Sequence, residues 1–190
     1  WTCHHHKMLG MTRPPDAPRT VLITGCSSGI GHATALHLHT LGWTVYATAR
    51  HVDALRDLAD VGCRVLALDV TNDESMRGAV STIERDHGSV GALVNNAGFS
   101  LGGAIETTDV TRARAQFETN VFGPMRLVQL VLPGMRRMRA GRIVNVGSMG
   151  GTLVLPGAAY YHATKYALEA LTDALRFEVN GLDRKSTRLN

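Results

Sequence analysis

Short apolar runs alternate with stretches of helical period along most of the chain. Thr20–Ile23, Thr44–Thr48, Arg64–Leu68, Ala92–Val94 and Arg142–Val146 are too short for helices and predict five buried strands. A Gly-rich turn follows the first. Ile30, Ala33, Leu38 and Leu41 then recur at helical spacing up to Gly42, which predicts one apolar face on a first helix. A long helix is expected from about Arg112 to Met138, with Pro124 and Pro133 kinking it or marking its limits. A last helix is expected from about Ala158 to Asn180, with Gly181 as its cap. Strands separated by helices imply βαβ units and a parallel sheet, whose ligands bind beyond the carboxyl ends of the strands.

The ends of the chain change the reading of its charge. Residues 1–10 begin without Met and show no periodicity, so they read as a non-native or untranslated leader. Residues 183–190, DRKSTRLN, match one reading frame of a common sequencing adapter and are expected to be read-through, leaving 11–182 as one domain incomplete at its C-terminus. The whole chain carries a net charge of +4, but residues 11–182 keep 16 of the 20 Lys+Arg and 15 of the 16 Asp+Glu, a net +1. The basic balance therefore gives no reason to expect nucleic acid or membrane as a partner. Arg136, Arg137, Arg139 and Arg142 read as a solvated helix terminus. Three cysteines without pattern indicate neither a disulfide framework nor zinc, and Cys3 with His4–His6 reads as leader rather than as a metal site. No apolar run approaches the roughly 18 residues of a membrane span, so a cytoplasmic chain is expected.

Chemistry-bearing residues cluster at the predicted strand ends. Thr24-Gly25-Cys26-Ser27-Ser28-Gly29-Ile30-Gly31 lies between a strand and a helix, where glycines let the backbone approach a pyrophosphate and the helix N-terminus meets its charge. Tyr161 and Lys165 are four apart and so about 40° apart on one helix face, whereas Tyr160 is about 140° from Lys165. A phenol with a pKa near 10 is a poor base at neutral pH, and a nearby ammonium favours its anion. Lys165 is the only Lys of residues 11–182, beside 15 Arg, which suggests that the position needs an ammonium.

The TGxxxGxG turn, Asn95-Asn96-Ala97-Gly98, Asn120, Ser148 and Tyr161-His162-Ala163-Thr164-Lys165 together resemble the classical short-chain dehydrogenase/reductase family over about residues 19–182. The turn and the VYATAR stretch are closest to its hydroxysteroid and retinol dehydrogenase-like branch. The resemblance implies a Rossmann-type doubly wound parallel sheet, strand order 3-2-1-4-5, with the final strands missing. It implies a hydride-transferring oxidoreductase acting on a small carbonyl or alcohol, and a homodimer or tetramer at full length; the 190-residue chain itself is expected to be inactive. It assigns Tyr161 as general acid/base, Ser148 as the group orienting the carbonyl, Lys165 as a contact of the nicotinamide ribose, and Asn120 as the anchor of a water beside Lys165.

The same resemblance places the cofactor against Gly25, Ser27, Ser28, Gly29, Ile30, Gly31, Asp69, Asn96, Ala97, Gly98, Tyr161 and Lys165. NAD-selective relatives carry an acid after the second strand. Here the residue is Arg50, which with Ser27 suits a 2′-phosphate, so NADP(H) is favoured; nearby Asp53 keeps NAD(H) open. No metal is expected, and Cys26 and His162 receive no role. A non-catalytic dinucleotide-binding regulator would not need Ser148, Tyr161 and Lys165 together. An extended-type epimerase or dehydratase would show TGxxGxxG instead.

Overall fold

The computed structural model describes residues 18–180 and the backbone of 185–189. Its strands are β1 (Thr20–Ile23), β2 (Thr44–Ala49), β3 (Arg64–Ala67), β4 (Ala92–Asn95), β5 (Arg142–Val146) and β6 (Lys185–Leu189). Its helices are α1 (Gly29–Thr40), α2 (Arg56–Asp60), α3 (Asp73–His87), α4 (Val110–Phe117), α5 (Gly123–Arg137) and α6 (Ala159–Asn180). The sheet is parallel, in the order β3-β2-β1-β4-β5-β6.

The expected order 3-2-1-4-5 is present, but a sixth strand lies beyond β5, where the final strands are expected to be missing. Lys185–Leu189 pairs along β5, with Arg142 opposite Lys185 and Val146 opposite Leu189. A ladder is made by main-chain N–H and C=O groups, which any extended segment offers whatever its side chains. Side-chain pattern is blind to such pairing. The leader at residues 1–10, the Gly181 cap, Asp183, Arg184 and Asn190 lie outside the described residues.

β1 and β4 are buried on both faces, which is why they read as continuous apolar runs. Alternate residues face opposite layers. Leu22, Leu93 and Ile143 pack with α3, α5 and α6, while Val21, Ile23, Val45 and Val94 pack with Ala35 of α1 and Leu58 of α2.

Helix α1 corrects the predicted apolar face. Its buried residues are Gly31 and Ala35, whereas Ile30 is 66% exposed and Ala33 and Leu41 are exposed as well. The helix begins close against the turn beneath it, so small residues face inward and Ile30 is left for the cleft described below.

The long helix predicted over 112–138 is two helices. A π-helical turn, Glu118–Phe122, joins α4 to α5, Pro124 falls in the first turn of α5, and α5 continues through Pro133. Such turns widen a helix locally and are frequent at functional sites. Arg136 and Arg137 occupy the last turn of α5, where cations are favourable to its dipole.

Helix α3 begins at Asn72, whose side chain accepts from the Ser75 N–H, and buries Met76, Ala79, Val80 and Ile83. It is tied to α5 by Asp73, which accepts from Arg126 and, at 2.7 Å, from Arg77. Arg126 foremost, then Arg77, lowers the Asp73 pKa to about 2. A carboxyl held below its ordinary value contributes stability that is complete above about pH 4 and lost as pH falls towards 2. Asp73→Asn should therefore lower Tm at pH 6, by an amount that shrinks as pH falls from about 4 towards 2, as thermal unfolding across that range would show.

Candidate active site

The carboxyl ends of β1, β2 and β4 open on a cleft of about 600 Å³. Gly25, Ser27, Ser28, Ile30, Arg50, Asp69, Asn96, Ala97 and Gly98 all line it, so the structure brings together nine of the residues predicted to meet a dinucleotide. Gly29 and Gly31 form the start of α1 beside it.

The turn is held by a network the sequence did not disclose. The Thr24 hydroxyl accepts from the N–H groups of Asn96 and Ala97, both at 3.0 Å. The Asn96 amide donates to the carbonyls of Thr24 and Gly25 at 2.9 and 3.0 Å. The backbone N–H of Cys26 reaches Thr48 O at 2.8 Å. These bonds lock the turn to the ends of β2 and β4. Thr24 was visible in the TGxxxGxG pattern, but its function as a crosslink needs the fold.

A dinucleotide fits this geometry. Ser28 is the N-cap of α1 yet its side chain makes no capping bond, and no acid stands in the first turn, so the helix end presents uncapped donors to an anion. At Gly25 a Cβ would come within 2.8 Å of Ala97 Cα, so the cradle admits backbone only. On the opposite wall, Asp69 accepts from the Thr71 N–H and hydroxyl at 2.9 and 2.8 Å. The Thr71 N–H foremost, with the Arg50 charge adding to it, holds the Asp69 carboxyl below its ordinary range. Asp53, by contrast, lies outside the cleft lining and pairs with Arg56 at 3.4 Å.

The second cluster stands at the end of β5 and the start of α6. Lys165 is 9% exposed; its Nζ donates to Val146 O at 2.8 Å and lies 5.9 Å from the centre of the Tyr161 ring. Burial pushes its pKa down, and the Glu169 carboxylate counters this. The Ser148 hydroxyl accepts from the Gly150 N–H at 3.0 Å.

Asn120 sits in the π-helical turn. Its Oδ1 accepts from Phe99 N–H at 3.0 Å, and its Nδ2 donates to Phe99 O at 2.9 Å and to Thr164 Oγ1 at 3.1 Å. Its side chain therefore bonds directly to the segment after Gly98 and to the helix carrying Tyr161 and Lys165. Gln116 adds a second donor to Phe99 O at 2.9 Å. Phe99, Thr164 and Gln116 were not singled out in the sequence, because backbone anchoring leaves no side-chain motif.

Among the described residues no cluster of His, Cys, Asp and Glu could hold a metal, and no helix is long and apolar enough to cross a membrane. Cys3 and His4–His6 lie outside them.

Known proteins are similar to this chain in sequence and fold. The chain is 40% identical over 164 residues to 3-ketodihydrosphingosine reductase of Bacteroides thetaiotaomicron, covering 86% of this chain and 59% of that protein. It superposes on a metagenomic short-chain oxidoreductase solved with NADP at a TM-score of 0.83 and 28% identity, covering 91% of this chain and 82% of that one. An NAD+-bound xylitol dehydrogenase gives 0.84 and 28%, covering 90% and 69%. The chain spans 52–65% of the length of the curated relatives it matches. With a cleft and a Tyr–Lys helix disposed as described, and with the model of the short chain dehydrogenases matching residues 19–183, the chain belongs to the short-chain dehydrogenase family of NAD(P)-dependent oxidoreductases.

Proposed function

We propose that this chain forms the catalytic core of an NADP(H)-preferring oxidoreductase that interconverts a carbonyl and an alcohol, with Tyr161 as general acid/base. The observation that carries the reading is the buried Lys165 ammonium, 5.9 Å from the Tyr161 ring centre and fixed by Val146 O. A bound nicotinamide supplies the hydride in reduction and accepts it in oxidation. In reduction Tyr161 Oη gives its proton to the oxygen of the developing alkoxide, and the Lys165 charge favours the phenolate left behind. Ser148 orients the same oxygen by hydrogen bonding. Asn120 acts at one remove, by fixing Phe99 and Thr164. A dinucleotide-binding regulator on this fold would have no use for a buried lysine beside a tyrosine.

Arg50 supports the cofactor preference. It lines the cleft just beyond β2, near Ser27, while Asp53 is engaged by Arg56. Charge-assisted contact to a 2′-phosphate is worth about 1.5–3 kcal/mol, or about 10- to 100-fold. Titration by fluorescence should show NADPH binding tighter than NADH by that factor, with Arg50→Asp erasing the difference. Equal Kd values in the unsubstituted protein would sink the preference. The reaction class is tested on the full-length protein by NADPH oxidation across a panel of aldehydes and ketones.

A further inference from the structure

We propose that His162 is a positioning residue for the reaction proposed above, on which this inference rests. Its neutral Nδ1–H tautomer clamps the loop between Ser148 and Tyr161 onto α6.

His162 is 5% exposed, and both ring nitrogens are engaged by main chain of that loop. Leu155 N–H donates to Nε2 at 3.1 Å, and Nδ1 lies 3.0 Å from Gly150 O. A backbone N–H can only donate, so Nε2 must present its lone pair. The single ring proton is therefore on Nδ1, from which it donates to the carbonyl of Gly150. The partners fix the tautomer.

The two bonds act on different things. Gly150 is held twice, by its N–H to Ser148 Oγ and by its C=O to His162, so one residue couples Ser148 to the Tyr161 helix. There is no slack around it: a Cβ on Gly150 would stand 2.8 Å from His162 Nδ1 and 3.3 Å from Tyr161 Cε1. The ring also meets Tyr161 edge-on, with centroids 6.0 Å apart. The Leu155 bond instead holds the outer stretch of the loop, where Leu153, Val154 and Leu155 are all exposed and apolar. The Gly150 arm thus sets the spacing of the chemical groups, and the Leu155 arm sets a wall for the substrate.

Two substitutions, made in the full-length protein, separate the arms. Asn reproduces a donor at the Nδ1 position and keeps the Gly150 arm, so His162→Asn should raise KM for the carbonyl about 5- to 10-fold with kcat within about 3-fold. Gln reaches the Nε2 position as an acceptor and keeps the Leu155 arm, so His162→Gln should lower kcat about 10-fold. Dinucleotide Kd should be unchanged in both. Long-range 1H–15N NMR correlations of the unsubstituted protein should show the neutral Nδ1–H form, a readout that needs no turnover.

An Nε2–H tautomer or a doubly protonated ring would overturn the proposal. So would variants that match each other, or the unsubstituted protein, in both kcat and KM. If Tyr161→Phe is inactive while the His162 variants behave normally, only this inference fails. If Tyr161→Phe remains active, the proposed reaction fails, and the NMR tautomer still decides whether His162 makes this clamp.

Discussion

In the full-length protein, Tyr161→Phe is expected to lower kcat by about 10²–10⁴-fold and to leave dinucleotide affinity nearly unchanged, the range typical for loss of a general acid. The change removes one oxygen and keeps the ring. Packing against His162 and the backbone at Gly150 therefore survives, and a folding defect cannot account for the loss. Lys165 keeps its bond to Val146 O, and the lining of the cleft is untouched. Tyr160→Phe is the matched control, since its position lies about 140° around the helix from Lys165 and should matter little. Turnover with NADPH and the carbonyl panel, set beside NADPH titrations of both variants, makes the measurement. A Tyr161→Phe enzyme retaining more than about a hundredth of kcat would remove Tyr161 from the chemistry.

What was legible in the sequence follows from which physical signals are local. The five strands of the 3-2-1-4-5 sheet each read as a short apolar run; in β1 and β4 this is because strands covered on both faces need apolar residues at every position, whereas β3, at the edge of the sheet, keeps the run while its residues are exposed or half-buried. Within the cleft, the turn after β1 is legible from its glycines between a strand and a helix, whereas Asp69, Asn96, Ala97 and Gly98 are placed by the family resemblance. Helix α3 carries equally local signals: Asn72 as cap, Met76, Ala79, Val80 and Ile83 at helical spacing, and Gly88 after the end.

Other features had no local signature. Ile30 looks like core by period but is 66% exposed, because it lines the cleft. Asn120 was marked by its family position, yet its bonds to Phe99 and Thr164 span 21 and 44 residues of sequence. His162 is an unremarkable letter between Tyr161 and Ala163 until Gly150 and Leu155 are folded against it. β6 is formed by backbone pairing that no side-chain pattern announces.

The glycines of the turn should not be equivalent, and their ranking tests the cradle itself. Gly25 has φ +71° and would also drive a Cβ to 2.8 Å from Ala97 Cα. A left-handed conformation costs an L-residue about 1–2 kcal/mol, and overpacking against fixed backbone about 1–3 kcal/mol more. Gly25→Ala therefore carries both penalties, together about 2–5 kcal/mol, equivalent to roughly 30- to several-thousand-fold in NADPH affinity if the turn shifts to relieve them. Gly29 has φ +61° but open space where its Cβ would go, so Gly29→Ala meets only the backbone term. Gly31 has no such φ, but its Cβ would stand 2.5 Å from Gly25 O and collide with the Asn96 amide. That amide cannot swing away without releasing the carbonyls of Thr24 and Gly25. Gly25→Ala should thus be the most damaging of the three and Gly29→Ala the least. NADPH titration of each variant, with Tm measured alongside to separate a deformed turn from an unfolded chain, gives the order. A Gly29→Ala protein that binds as weakly as Gly25→Ala would show that conformational freedom, and not close approach of the β4 loop, shapes this turn.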